Sequence, residues 1–140
     1  MKQIIGVAAI LVVDTKIAAF RRNHGKYAGF YEFVGGKIEL LESKEEALVR
    51  ECHEELKIDI SIEAPFKTIH YDYDDFSLVL YTFVCQPKSL NMTLSVHDNL
   101  VWVDEITIDS LNWLPADRII MDDLKQLCLS LKQKNGGHYA

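Results

Sequence analysis

The chain has 140 residues, a length typical of one domain, and 49% of its residues are hydrophobic, which is enough to form a core. Its formal net charge of −6 argues against broad electrostatic binding to nucleic acid or to an anionic membrane. We therefore expect one domain over residues 1–140 with no nucleic-acid or membrane partner, as either a monomer or a homodimer.

The three cysteines, Cys52, Cys85 and Cys128, are far apart and lack the CxxC spacing of redox or zinc sites. An odd number of separated thiols is typical of reduced cysteines and predicts a cytoplasmic protein. Cys52 is expected to be a core residue, because a catalytic thiol would need a matched base.

The N-terminal apolar run, Ile4–Val13 after Lys2, resembles a signal peptide only superficially. It is too short to span a bilayer and it stops at Asp14. The second apolar run, Ile17–Phe20, follows directly, so the sequence predicts two strands joined by a turn.

An acidic segment that begins with two glycines, Gly35–Ile58, carries the main chemical signal of the chain. Ser43 stands three residues before Glu46, which is the spacing of a capping box. We therefore predict a helix from about Lys44 to Lys57. An apolar stripe along this helix should pack inward; it comprises Leu48, Cys52 and Leu56.

Three carboxylates of this predicted helix, Glu51, Glu54 and Glu55, share one face because they are three and four residues apart. Each like-charged pair at these spacings costs roughly 0.2–0.5 kcal/mol. Acidic clusters on helices are most often solvated faces. The alternative is a divalent cation that turns repulsion into attraction, and oxygen ligands favour Mg²⁺, with Mn²⁺ possible.

The segment Gly36–Ile58 resembles the Nudix box. Five residues separate Gly36 from Glu42, and seven more lead to Arg50-Glu51, which Glu54-Glu55 follow at the spacing of the pattern. One position departs, because Lys57 stands where the family has the glycine that ends the helix. The departure puts the local turn in question and leaves the chemically active positions matched.

The resemblance implies a metal-dependent hydrolase. In Nudix enzymes the residues that match Glu51, Glu54, Glu55 and the carbonyl of Gly36 hold divalent cations. The resemblance also implies that water attacks phosphorus in line while a carboxylate takes its proton. Glu54 is the expected acceptor, since Arg50 lies four residues before it and can orient it.

The remaining elements predict an α/β fold. The sequence indicates further strands at Ile58–Ile62, Phe66–Tyr73, Phe76–Cys85 and Leu100–Val103, and a final helix from about Pro115 to Asn135–Gly137. This order predicts an α/β/α sandwich with a mixed β-sheet, which is also the Nudix fold.

Within the family, the chain most resembles MutT-like nucleoside triphosphate pyrophosphohydrolases. The resemblance is carried by FRR at Phe20–Arg22 and YEFVGGKIE at Tyr31–Glu39, and the tail LNWLPAD at Leu111–Asp117 is similar to that of CTP pyrophosphohydrolases. It implies three substrate-binding residues: Arg22 for phosphate, Phe33 for stacking on the base, and Asp117 for the base edge.

Each of these residues also has a structural interpretation. Arg22 is a strand-end cation of a kind that is often solvated, and Phe33 is an aromatic residue of a kind that is often in the core. Asp117 is suited to a helix terminus. MutT-like enzymes often place a further carboxylate before a tryptophan that matches Trp102, but Val101 occupies that position, so Asp98 or His97 is the expected substitute.

Three functions remain open. The first is hydrolysis of a nucleoside triphosphate to monophosphate and pyrophosphate, with a cytosine or oxidised guanine base because an ionised Asp117 would offer only acceptors. The second is hydrolysis of a nucleotide sugar, ADP-ribose or a dinucleoside polyphosphate, and Tyr73 keeps the last of these open. The third is a non-catalytic nucleotide sensor, which the retained carboxylates disfavour. In every case the expected partner is a small-molecule nucleotide.

Overall fold

The computed structural model describes residues 1–136, which form a β-sheet covered by helices on both faces. These residues contain seven strands: β1 Lys2–Val13, β2 Lys16–Arg22, β3 Tyr31–Glu32, β4 Val34–Lys37, β5 Ile60–Asp72, β6 Phe76–Pro87 and β7 His97–Val103. The helices are α1 Lys44–Leu56, α2 Pro115–Arg118, α3 Met121–Gly136 and a 3-10 helix at Ile108–Ser110. In this part of the chain no helix is long and apolar enough to cross a membrane.

Strand β1 is the centre of the sheet. It runs parallel to β6 and antiparallel to both β2 and β4. Strand β5 extends the sheet beyond β6, while β3 and β7 pair with β2. Parallel and antiparallel pairs therefore coexist, and the predicted mixed sheet and the predicted β1–β2 turn are confirmed.

The alternation of side chains along β1 divides the core into two layers. Val7, Ala9 and Leu11 face α1, whereas Ala8 and Ile10 face α2 and α3. On the α1 side the predicted apolar stripe is fully buried, namely Leu48, Cys52 and Leu56. All three cysteines are free and buried, and burial raises the pKa of the Cys52 thiol, as expected for a core residue.

Two predicted boundaries were wrong. The segments expected as separate strands, Ile58–Ile62 and Phe66–Tyr73, are one strand, β5, whose pairing register shifts near Pro65. The single helix expected from Pro115 is two helices, because the N–H of Ile120 bonds back only three residues to Asp117. The predicted end at Asn135–Gly137 agrees with α3 as far as Gly136, and Gly137 lies outside the described residues.

The N-terminal end of α1 has the predicted capping box, and its C-terminal end has a left-handed cap. The Ser43 hydroxyl accepts a hydrogen bond from the N–H of Glu46, and the Glu46 carboxylate accepts one from the N–H of Ser43. At the other end, Lys57 takes the left-handed conformation with a φ of 58°, and its N–H bonds the carbonyl of His53. The turn is therefore made without the family's glycine.

Leu41, in the loop before α1, is a second residue with left-handed backbone, with a φ of 66°. Its side chain is 96% exposed and so gains almost nothing from packing. A non-glycine residue in this conformation costs roughly 1–2 kcal/mol. The loop therefore carries conformational strain that glycine would relieve.

We expect Leu41→Gly to stabilise the protein by about 1 kcal/mol, after allowing for the greater freedom of glycine in the unfolded chain. Thermal denaturation should show a rise of roughly 3 °C. Leu40→Gly is the matched control, because Leu40 is 93% exposed and has no left-handed backbone. An equal rise in both variants would contradict the strain at Leu41.

Candidate active site

A cavity of about 710 Å³ is lined by residues of strands β1, β4 and β6 and of the C-terminal half of helix α1. It brings together most of the predicted site residues, in three groups. The first group is Gly36, Glu51, Glu54 and Glu55, the second is Arg22, Glu32 and Lys37, and the third is Phe33, Tyr73 and Asp117. The cavity lining therefore combines carboxylates, basic side chains and aromatic rings.

Gly35 and Gly36 allow strand β4 to approach strand β1 and helix α1 closely. A Cβ on Gly36 would lie 2.6 Å from the carboxylate carbon of Glu51, and a Cβ on Gly35 would collide with the carbonyl of Val7 on the neighbouring strand. Real Cβ atoms are not found at such distances. Gly36 therefore allows the Glu51 carboxylate to lie against the backbone of β4, and Gly35 allows β4 to pair with β1.

Arg50 lies outside the cavity lining and holds the box together. Its Nε and Nη2 donate to Glu42 at 2.7 and 2.9 Å, and its Nη1 donates to Glu51 at 2.7 Å. The same Nη1 is 3.2 Å from Glu54, so the predicted contact exists but is weaker than the other two. These bonds lower the pKa of Glu42 to about 2 and fix the loop before α1 to the helix.

Glu55 is a largely buried box carboxylate with a strongly shifted pKa; the other two box carboxylates are Glu51 and Glu54. Burial raises its pKa to about 8, with further contributions from the charges of Glu51 and Glu32. Its Oε2 is buried and has no hydrogen-bond partner among residues 1–136. A buried carboxyl oxygen without a partner is the environment that a hard divalent cation would satisfy.

The box carboxylates nevertheless do not form a ready-made cluster. Within residues 1–136, no group of three histidine, cysteine, aspartate or glutamate side chains converges in a metal-binding geometry. Glu51 and Glu54 are directed to Arg50 instead. The residue types present fit a divalent cation, and its binding would require Glu51 and Glu54 to exchange part of their contact with Arg50.

Glu32 is a cavity residue that the sequence analysis did not identify. It accepts hydrogen bonds from Nη1 of Arg22 at 3.1 and 3.2 Å, and its Oε2 is 2.9 Å from Nε2 of His97. Arg22 lines the cavity, and its guanidinium is paired with Glu32. A glutamate between two aromatic residues, Tyr31 and Phe33, on a short strand was the available signal.

The two residues considered as substitutes for a carboxylate at Val101 do not line the cavity. Asp98 is half exposed and pairs with Arg21 at 2.6 Å. The side chain of His97 is fully buried and reaches the cavity only through its contact with Glu32. Val101 itself packs in the core on the α3 side of the sheet.

Aromatic side chains line the cavity together with Asp117. Phe33 is only 4% exposed and contacts Trp113 with ring centroids 5.0 Å apart, so it belongs to the core as well as to the cavity wall. The rings of Tyr27 and Tyr73 meet at 5.7 Å, and the N–H of Ala116 donates to the Tyr73 hydroxyl at 3.3 Å.

Asp117 lies in the first turn of α2 and is 4% exposed. Burial raises its pKa well above the ordinary value, and the nearby charge of Glu32 acts in the same direction. Burial therefore favours the neutral form of this carboxyl more than at an exposed aspartate, whereas the prediction of acceptor-only binding assumed an ionised Asp117. A neutral carboxyl can donate one hydrogen bond and accept others.

Comparisons with known proteins agree with this geometry. A model of the NUDIX domain matches residues 2–129. The chain is 49% identical over 120 residues to a CTP pyrophosphohydrolase of Escherichia coli (strain K12), which covers 84% of this chain and 87% of that protein. It is 34% identical over 86 residues to an 8-oxo-dGTP diphosphatase of Proteus vulgaris, with coverages of 59% and 77%.

The fold is likewise shared with solved structures. The crystal structure of a MutT protein from Methanosarcina mazei Go1 superposes with a TM-score of 0.75 at 22% sequence identity, and the match covers 96% of each chain. Because the family model spans almost the whole chain and the box residues line one cavity, the chain belongs to the Nudix family and is a MutT-like hydrolase.

Proposed function

We propose that this protein hydrolyses a nucleoside triphosphate to the monophosphate and pyrophosphate, with Mg²⁺ or Mn²⁺ as the cofactor. The observation that carries the proposal is the cavity, which is lined both by the three box carboxylates and by a buried carboxyl group, Asp117. The box carboxylates suit a cation with bound phosphates, and Asp117 suits a base. The names of the two relatives support the same substrate class.

The cation would be held by Glu51, Glu54, Glu55 and the carbonyl of Gly36. When bound, a divalent cation neutralises phosphate charge and lowers the pKa of a coordinated water. The chain's own contribution is to hold these oxygens in the cavity, through Arg50 and the close approach at Gly36. Lys37 and Arg22 add positive charge to the wall along which the phosphates would lie.

Glu54 is the proposed acceptor of the proton from the attacking water. Its side chain lines the cavity and remains 58% exposed, so water can reach it. Arg50 restricts its orientation through the 3.2 Å contact. Glu55 is less suited to this role, because burial favours its protonated form before a cation binds.

Asp117 is proposed to bind the edge of the base. A neutral carboxyl complements cytosine, because it can donate to the ring nitrogen and accept from the neighbouring amino group. It also complements the adjacent carbonyl and N–H of guanine and of its oxidised form. It can pair in the same way with uracil, so charge repulsion would not exclude uracil as it would with an ionised Asp117.

A dinucleoside polyphosphate is the second candidate substrate, since Tyr73 lines the cavity and could contact a second base. Nucleotide sugars and ADP-ribose are further alternatives, and a non-catalytic nucleotide sensor is the least supported. A screen with Mg²⁺ separates these functions. It would measure pyrophosphate release from canonical, oxidised and methylated nucleoside triphosphates. For dinucleoside polyphosphates, nucleotide sugars and ADP-ribose, it would measure the phosphorylated products of hydrolysis.

We expect Glu54→Gln to lower kcat by a factor of roughly 10²–10⁴, because it removes a cation ligand or the proton acceptor while keeping the shape of the side chain. Steady-state kinetics at saturating Mg²⁺ would measure the loss. Glu45→Gln is the matched control, because Glu45 is an exposed carboxylate of α1 outside the cavity lining. A kcat near that of the wild type in Glu54→Gln would refute the assignment.

Glu55 should make stability and cation binding depend on pH in opposite directions. Its folded pKa of about 8 lies above the ordinary value of 4.5, so the stability that its neutral form contributes is complete below about pH 4.5 and is lost as the pH rises to about 8. Without metal, the wild-type melting temperature should fall relative to Glu55→Gln across this interval.

The effect of the cation should have the opposite sign. Since a cation needs the deprotonated carboxylate, the increase in melting temperature caused by Mg²⁺ should grow from about pH 6 to about pH 8.5 in the wild type. The same increase should be small and nearly constant in Glu55→Gln. Parallel melts in Mg²⁺ and in chelator would measure both effects, and identical pH profiles in the two proteins would contradict the role of Glu55.

Asp117→Ala should lower kcat/KM for the preferred nucleotide by roughly tenfold to a hundredfold and leave the other nucleotides much less affected. Asp117→Asn should lose less, because an amide also offers a donor and an acceptor. Competition assays with mixed nucleotides would give the selectivity directly. A uniform loss for all nucleotides would mean that Asp117 supports α2 and does not contact the base.

A further inference from the structure

Among residues 1–136, the side chain of the buried histidine His97 has a single polar contact, and this contact leads to a residue of the cavity lining. Its side chain is fully buried at the start of β7, its ring packs against Phe20 at 5.3 Å between centroids, and its Nε2 lies 2.9 Å from Oε2 of Glu32. Its Nδ1 has no hydrogen-bond partner among residues 1–136. The polar function of this imidazole is therefore directed to Glu32.

The hydrogen-bond chemistry determines which group donates. A carboxylate paired with a guanidinium only accepts, so the proton of the contact belongs to Nε2 of His97. Glu32 thus receives three N–H contacts, two from Arg22 and one from His97. This set of donors fixes both oxygens of the carboxylate and leaves it little rotational freedom.

Three neighbouring strands create this arrangement. Strand β2 lies between β3 and β7, and its residue Arg22 is paired with His97, next to an irregularity in register between Arg21 and Arg22. Such irregularities redirect side chains. Here Arg21 pairs with Asp98 outside the cavity, whereas the next residue, Arg22, lines the cavity and pairs with Glu32.

Glu32 lines the same cavity as the box carboxylates and Asp117. A Glu32 side chain that rotated would move its negative charge relative to these groups and would release Arg22. The position of this one carboxylate therefore affects how the nucleotide fits in the cavity.

We propose that His97 is a positioning residue that fixes the Glu32 carboxylate, and through it the Arg22 guanidinium, for binding of the nucleotide. The inference rests on the proposed function. His97 does not touch the substrate, and its effect is transmitted entirely through Glu32. Loss of the Nε2 donor should weaken substrate binding and leave the chemical step almost unchanged, because the box carboxylates are not altered.

The test is a set of variants that separates donation from packing. His97→Leu removes the donor and keeps an apolar group in the core. His97→Gln retains an N–H that can reach Glu32, whereas the side chain in His97→Asn is too short for its N–H to reach Glu32. We expect His97→Leu and His97→Asn to raise KM about tenfold and to keep kcat within roughly threefold of the wild type. His97→Gln should have a KM close to that of the wild type. Melting temperatures are measured in parallel, and His97→Asn with His97→Gln suffices if His97→Leu does not fold.

A double-mutant cycle with Glu32→Gln decides whether His97 acts through Glu32. We expect His97→Asn to raise KM in the wild-type background and to have no further effect in the Glu32→Gln background. The proposal would be overturned if His97→Asn raised KM equally in both backgrounds or left KM unchanged. It would also be overturned if His97→Gln and His97→Asn raised KM to the same extent. The cycle uses the substrate that the wild type hydrolyses best in the screen, so a failed triphosphate assignment does not affect this test.

Discussion

The mutual repulsion of carboxylates in a partly buried place is the constraint that the rest of this structure resolves. Glu51, Glu54 and Glu55 share one helix face, and each would repel the others if it were left ionised and unpaired. In the structure the repulsion is reduced in two ways: Arg50 donates to Glu51 and Glu54, and burial favours the neutral form of Glu55. A bound cation would take over both effects, because it would attract all three carboxylates.

The same constraint recurs at Asp117 and Glu32, which line the same cavity. Burial and the charge of Glu32 raise the pKa of Asp117, whereas Glu32 accepts hydrogen bonds from Arg22 and contacts His97. The environment of each of these two carboxyl groups therefore depends on its burial and neighbours. Such differences between neighbouring acids are typical of catalytic and binding sites.

The sequence was sufficient for those features that depend on local spacing. The capping box at Ser43, the apolar stripe of α1 and the shared face of the box carboxylates all follow from helical periodicity, and the structure contains them. It was insufficient where the outcome depends on contacts between distant strands. The pairing of Glu32 with His97 joins residues 65 positions apart, and the raised pKa of Asp117 depends on burial that no local pattern reveals.

The parallel pairing of β1 with β6 has a consequence for how the chain folds during synthesis. Lys2 pairs with Phe76, and the pairing continues as far as Leu11 and Cys85. Each residue in this part of the central strand therefore pairs with a residue 74 positions later in the chain. The ribosome must therefore release more than half of the chain before the middle of the sheet can form. Until then the edge of the apolar N-terminal strand that pairs with β6 stays unpaired, while its other edge can already pair with β2 and β4. An unpaired apolar strand edge favours aggregation during synthesis.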